Sequence, residues 1–166
     1  MGVLDPFKDA FRAASLDVSF YNEIEFDRAY TPRAFLVVLV GWTAIGIGNF
    51  LVEVEWATAA GILWSALAGT LGWVVWSALA LVIGTRVFKG TADMGQMLRV
   101  LGFAQVPLVI GVVPGLDLVG FAWALVASVF AVREGLDFTT PRALATVAIG
   151  WAAVGAMVLV VLWLLR

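Results

Sequence analysis

The chain has 166 residues, of which 63% are hydrophobic and only 13% charged, with a formal net charge of −2. A soluble domain of this size needs a charged surface that the sequence lacks, so the mean hydropathy of +1.02 points to a chain whose solvent is mostly lipid. There is no basic footprint for nucleic acid, and the absence of cysteine and histidine excludes disulfides, thiol redox chemistry, zinc fingers and any histidine-held haem, copper or bacteriochlorophyll.

The first segment, "MGVLDPFKDAFRAASLDVSFYNEIEFDRAY", is mixed in charge and lacks the apolar core of a signal peptide. Pro6 stands where a myristoylation signal wants Ser or Thr, so that motif fails. "DPFKDAFRAA" predicts a helix with Asp5 at the N-cap and Pro6 at the first helical position. Phe7, Ala10, Phe11 and Ala14 share one face of it, with Lys8, Asp9 and Arg12 turned away, a pattern that suits a membrane interface. Phe7, Phe11 and Arg12 are the candidate interfacial or docking residues. "SFYNEIEFDRAYTP" predicts a second amphipathic stretch with Phe20, Ile24 and Phe26 inward. The favoured reading makes both helices caps on the cytoplasmic ends of a bundle; the other makes them a docking surface for a partner.

Five apolar runs without Asp, Glu, Lys or Arg follow, at 34–52, 56–84, 100–116, 118–132 and 143–165. About 20 helical residues cross the hydrocarbon core. The first, second and fifth runs meet or approach that length, and the second is long enough to tilt; the third and fourth fall short. The connections alternate in charge. Lys8, Arg12, Arg28 and Arg33 precede the first run, and only Glu53 and Glu55 separate it from the second. Arg86, Lys89 and Arg99 precede the third run, Asp117 alone follows it, and Arg133 and Arg142 precede the fifth. If every run crosses, all of the ten basic residues except Arg166 lie on one side, as cytoplasmic segments require. The prediction is an all-α polytopic membrane protein. Residues 1–33 form a cytoplasmic, amphipathic interfacial segment, and residues 34–166 form a five-helix transmembrane domain. The spans fall at about 34–52, 56–84, 98–116, 117–132 and 142–165. The N-terminus is then cytoplasmic and the C-terminus outside, in the cell (inner or plasma) membrane.

The third run carries Pro107 in mid-span, which predicts a kink, and "PGLD" after it predicts the turn into the fourth. Arg99 and Arg133, at the open end of that hairpin, are expected to snorkel to the headgroups. Ala57, Gly61, Ser65 and Gly69 recur every four residues along the second run. Small residues at that spacing let helix backbones approach where lipid supplies no hydrophobic drive. Packing within the chain, with Gly41, Gly46 and Gly48 as the facing surface, is favoured over a dimer seam. Asn49 and Gln105 are the amides inside the runs. For Gln105, beside Pro107, a bond to a neighbouring helix is favoured over a place in a substrate pathway, because no ionisable residue lies deep in a span. Of eight tryptophans, Trp56 and Trp163 fall at predicted boundaries. Trp42, Trp64, Trp73, Trp76, Trp123 and Trp151 lie deeper and either fill space or line a groove for acyl chains or pigments.

No catalytic constellation assembles. "GTADMGQ" lacks the lysine and spacing of a phosphate loop, and the carboxylates are confined to connections, so an enzyme is not expected and no cofactor or metal is predicted.

Three stretches carry a likeness. "MGQMLRVLGFAQVPLVIGVVP" (94–114) resembles the leucine-arginine-glycine-proline signature that opens the third span of the Yip family, the membrane proteins named for interacting with Ypt/Rab GTPases. "VREGLDFTTPRALATV" (132–147) resembles the join between that family's last two spans, and "LDPFKDAFRAA" (4–14) is similar to the start of its prokaryotic members. The resemblance implies five spans and a cytoplasmic N-terminal region. The longer cytosolic parts through which eukaryotic members meet small GTPases have no match here, so a small GTPase is not an expected partner. The expected function is that of a non-enzymatic accessory subunit or scaffold packing against lipid and other membrane proteins, in a hetero-complex or homo-oligomer. The alternative is a small transporter or lipid-handling protein using the kinked hairpin 98–132.

Overall fold

The computed structural model describes residues 6–52 and 58–164, with side chains described as far as residue 154. Asp5, Glu53, Glu55, Trp56, Ala57 and Arg166 fall outside that description, as does the side chain of Trp163. Within it the regular elements are all helical. α1 (Pro6–Ala14) and α2 (Val18–Phe26) form a short hairpin, and a 3-10 turn at Arg28–Tyr30 leads into α3 (Thr31–Leu51). α4 (Ala59–Val82) ends in a π-helical turn at Ile83–Val87; α5 (Met94–Phe103) is followed by a 3-10 helix, Val106–Val112; α6 (Asp117–Gly135) and α7 (Thr140–Leu164) complete the chain.

Among the described residues, Arg28–Leu51, Ala59–Val87 and Asp117–Gly135 are long and apolar enough to cross a membrane. α5 and the 3-10 helix pass the same test only as a pair, bent by 41°. The third run is thus broken where a kinked helix was expected. Pro107 has no N–H to donate, and its ring excludes the carbonyl of Phe103, so the α-helical ladder stops there. The chain continues through tighter bonds, Gln105 N to Gly102 O at 3.1 Å and Leu108 N to Gln105 O at 3.0 Å. A 3-10 helix rises about 2.0 Å per residue against 1.5 Å in an α-helix, so a broken segment reaches further than its residue count suggests. It then reverses at 113–116, where Leu116 N bonds Val113 O at 3.0 Å and Gly115 takes φ +82°, the position of a type II turn that favours glycine.

Close backbone contact holds the transmembrane part together. α3 lies between α4 and the 3-10 helix. A Cβ added at Gly48 would stand 2.0 Å from Gly111 O, and one at Gly46 would stand 2.9 Å from Ile62 Cα. Gly69 leaves the space in which the Trp42 ring crosses α4.

The main core extends to the end of the bundle beneath α2. Phe20, Tyr30 and Phe103 meet edge-to-face, with ring centroids 5.2–6.0 Å apart. Tyr21 and Ile24 are fully buried beside them. Phe26, expected inward, is 71% exposed, because the buried face of α2 is set by Phe20, Tyr21, Ile24 and Glu25. Arg99 also departs from expectation. It is only 4% exposed and does not reach toward headgroups; its guanidinium is turned under α2.

Candidate functional site

Asp17 joins α1 to α2. The chain leaves α1 through a left-handed Leu16 (φ 61°), with Asp17 N bonded to Arg12 O at 3.1 Å and Leu16 N to Ala13 O at 3.1 Å, a Schellman closure made without glycine. Asp17 then caps α2, accepting from Ser19 N at 2.9 Å and Phe20 N at 3.3 Å. Arg12 closes the hairpin. It donates to Asp17 and Glu23, each at 2.8 Å, and to Ser19 at 3.2 Å, and lies 4.8 Å over the Phe20 ring. Hydrogen bonds from Ser19 and then from Arg12 hold the Asp17 carboxyl down at about 2. Arg12 therefore builds the hairpin, whereas Phe7 and Phe11 are 85% and 73% exposed.

α1 does not sit on the end of the bundle. It lies on the flank, against the 3-10 helix. Two bonds pin it there: Arg33 to the buried Asp9 at 3.1 Å, and the indole N–H of Trp123 on α6 to Ala14 O at 3.0 Å. α1, α3 and the broken segment enclose a groove of about 420 Å³ walled by Phe7, Leu36, Val37, Val40, Phe103, Val106 and Val109, with Asp9 and Arg33 at one end.

The broken segment also fixes the polar residues. Gln105 accepts from the Trp42 indole N–H at 2.8 Å, and Ser65 donates to Trp42 O at 2.9 Å. Gln105, Ser65 and Gly69 thus converge on one residue of α3, while Gly61 stands in the first turn of α4, its N–H bonded to the Thr58 cap at 3.1 Å. Pro107 is buried, with its carbonyl facing Gly120 of α6. Beside this junction a cavity of about 350 Å³ is walled by Trp42, Trp73, Trp76 and Trp151, with Gln105 and Ser128 as its polar members.

Above it, α5 begins with a capping box: Asp93 accepts from Gln96 N at 2.8 Å and the Gln96 side-chain oxygen accepts from Asp93 N at 2.6 Å. The amide of Gln96 also donates to Glu25 at 2.9 Å. Arg99, one turn on, donates to Ile24 O at 2.8 Å, to Glu25 O, and to Thr31 at 3.4 Å. Glu25 is 1% exposed and its second carboxylate oxygen meets no donor. Burial first, then the charge of Asp137, push this carboxyl up to about 7; Glu134 and Asp93 add to the rise and Arg99 opposes it. Sequence reasoning missed Arg99 and Glu25 as a pair. The local signal was the capping box, which fixes the start of α5 and so sets Gln96 and Arg99 on neighbouring turns.

Among the described residues no group of three or more carboxylates is placed to hold a metal ion. The charged and amide groups above make bonds that hold helices to one another.

No curated protein and no solved structure matches the chain. The family model described as the Yip1 domain matches residues 18–162, from α2, through the broken segment and its Arg99, to the last turn of α7. The chain therefore belongs to the Yip1 domain family of membrane proteins.

Proposed function

We propose that the protein is a non-enzymatic scaffold or accessory subunit that works by packing against lipid and other membrane proteins. The observation that carries this reading is α1. Asp9, Arg33 and Trp123 fix it to the flank of the bundle, while Phe11 is left 73% exposed. An amphipathic helix held in this way presents a preset apolar surface at the membrane interface. The internal use of Arg12, Gln105 and Arg99 supports the same reading, because side chains engaged in holding helices together are not poised for chemistry. Gentle solubilisation should recover the protein in a stoichiometric complex with another membrane protein or with itself. A lone monomer that restores function in lipid alone would overturn the reading.

We also propose five crossings, with the bent pair as the third and the 25-residue α7 as the fifth. Residues 1–33 and the cations before the third and fifth spans then lie on the cytoplasmic side of the cell membrane, and the C-terminus lies outside. The chain has no cysteine, so the test is direct. Lys8→Cys and Arg166→Cys should react with an impermeant thiol reagent from opposite faces of sealed vesicles. Reaction from the same face would remove the odd number of crossings.

A further inference from the structure

We infer that the groove beneath α1 is a binding site for one phospholipid, with an acyl chain against its apolar wall and the phosphodiester on Arg33. The inference goes beyond the scaffold reading and stands whether or not the protein has a protein partner.

Place comes first. The groove lies between α1 and two candidate spans, α3 and the bent pair, so the medium that reaches it is lipid. From Arg33 down to Val40 the wall descends roughly 10 Å at the helical rise. Over that distance α3 contributes Leu36, Val37 and Val40, and the broken segment contributes Val106 and Val109. The volume, about 420 Å³, falls within the range of formed ligand sites.

Charge decides the orientation. Two ionisable side chains line the groove, Asp9 and Arg33. The Asp9 side chain is 3% exposed and the Arg33 side chain is 32% exposed, so the charge that an entering molecule meets is the cation. Asp9 holds the guanidinium through one nitrogen at 3.1 Å, and the Tyr30 ring lies beneath it at 5.1 Å. A guanidinium has five N–H donors in a planar fork suited to a phosphate oxygen pair. At the start of a span the acceptor supplied by the bilayer is the lipid phosphodiester. A free phosphate would satisfy Arg33 but leave the apolar wall uncovered, and a diacylglycerol would do the reverse.

The purified full chain in mild detergent should retain one phosphatidylglycerol in native mass spectrometry. Diacylglycerol of the same chain length, or inorganic phosphate, should bind at least about tenfold more weakly. Val40→Trp, at a half-exposed wall position, should cut retention by about tenfold or more. Val119→Trp, at an exposed position on α6 away from the groove, should leave retention unchanged. The double variant Asp9→Asn with Arg33→Gln, an amide pair that can still bond α1 to α3 without leaving a buried charge, should still take up diacylglycerol but lose the preference for phosphatidylglycerol. Helical circular dichroism and elution volume report whether each variant is folded. Equal retention by Val40→Trp, a preserved headgroup preference in the Asp9→Asn, Arg33→Gln double variant, or a protein dimer that Val40→Trp dissolves in place of a lipid complex would each overturn the assignment.

Discussion

Gly48→Ala should unseat the broken segment from α3. The added Cβ would stand 2.0 Å from Gly111 O and 3.1 Å from Gly111 C, and both are backbone atoms. No rotamer change relieves that overlap, so the two elements must separate, at a cost of about 3 kcal/mol or more. For a chain of this length the cost corresponds to a fall of roughly 6–12 °C in Tm. Gly72→Ala is the control. Its Cβ would meet nothing within 4 Å, and on helix propensity alone it should stabilise α4 by up to about 1 kcal/mol. Thermal unfolding in detergent, followed by intrinsic tryptophan emission, reads both. If the two variants melt together, close backbone contact is not what holds α3 to the broken segment.

That contact shows what the sequence could and could not reveal. A helical membrane protein was legible because hydropathy and the absence of charge act locally. The apolar runs at 34–52 and 118–132 match α3 and α6 to within three residues at each end. The four-residue spacing of Gly61, Ser65 and Gly69 raised an expectation of close packing, but spacing on one helix does not name the surface opposite. Trp42 proved to be the residue on which Ser65, Gly69 and Gln105 converge, and its neighbours in the chain carry no mark of that. Pro107 announced a disturbance without its form. Whether a proline kinks or breaks a helix depends on the bonds the chain can make around it, and here it continues in 3-10 bonds, Gln105 N to Gly102 O and Leu108 N to Gln105 O. α1 read as amphipathic, but amphipathicity fixes which face is apolar and not whether the helix caps a bundle or lies along its flank. Trp123 and Arg33 make that choice, from parts of the chain far away in sequence.

Arg99 is the clearest case, since a lone arginine opening an apolar run looks the same whether it snorkels or supports another helix. Arg99→Met keeps the length of the stem and removes the fork. The carbonyls of Ile24 and Glu25 then lose a charged donor in a buried place, a loss of about 3–5 kcal/mol, and Arg99→Lys should not restore it because one ammonium does not span both carbonyls. In a cysteine-free chain the release of α2 can be read at Ala13→Cys, which is fully buried in the core shared with α2. Labelling should be slow in the parent and fast with Arg99→Met. Glu25 adds a pH arm to the same assay. Its carboxyl is held at about 7 in the folded protein against 4.5 for the ordinary group, so the stabilisation is full below about 4.5 and is lost as pH rises through 7. α2 should be gripped more tightly at pH 5 than at pH 8, by at most on the order of 3 kcal/mol. Glu25→Gln should slow labelling at pH 8 and flatten the dependence between those values. A slope that survives Glu25→Gln belongs to another group, and slow labelling in Arg99→Met would mean that the aromatic contacts of Phe20, Tyr30 and Phe103 hold α2 by themselves.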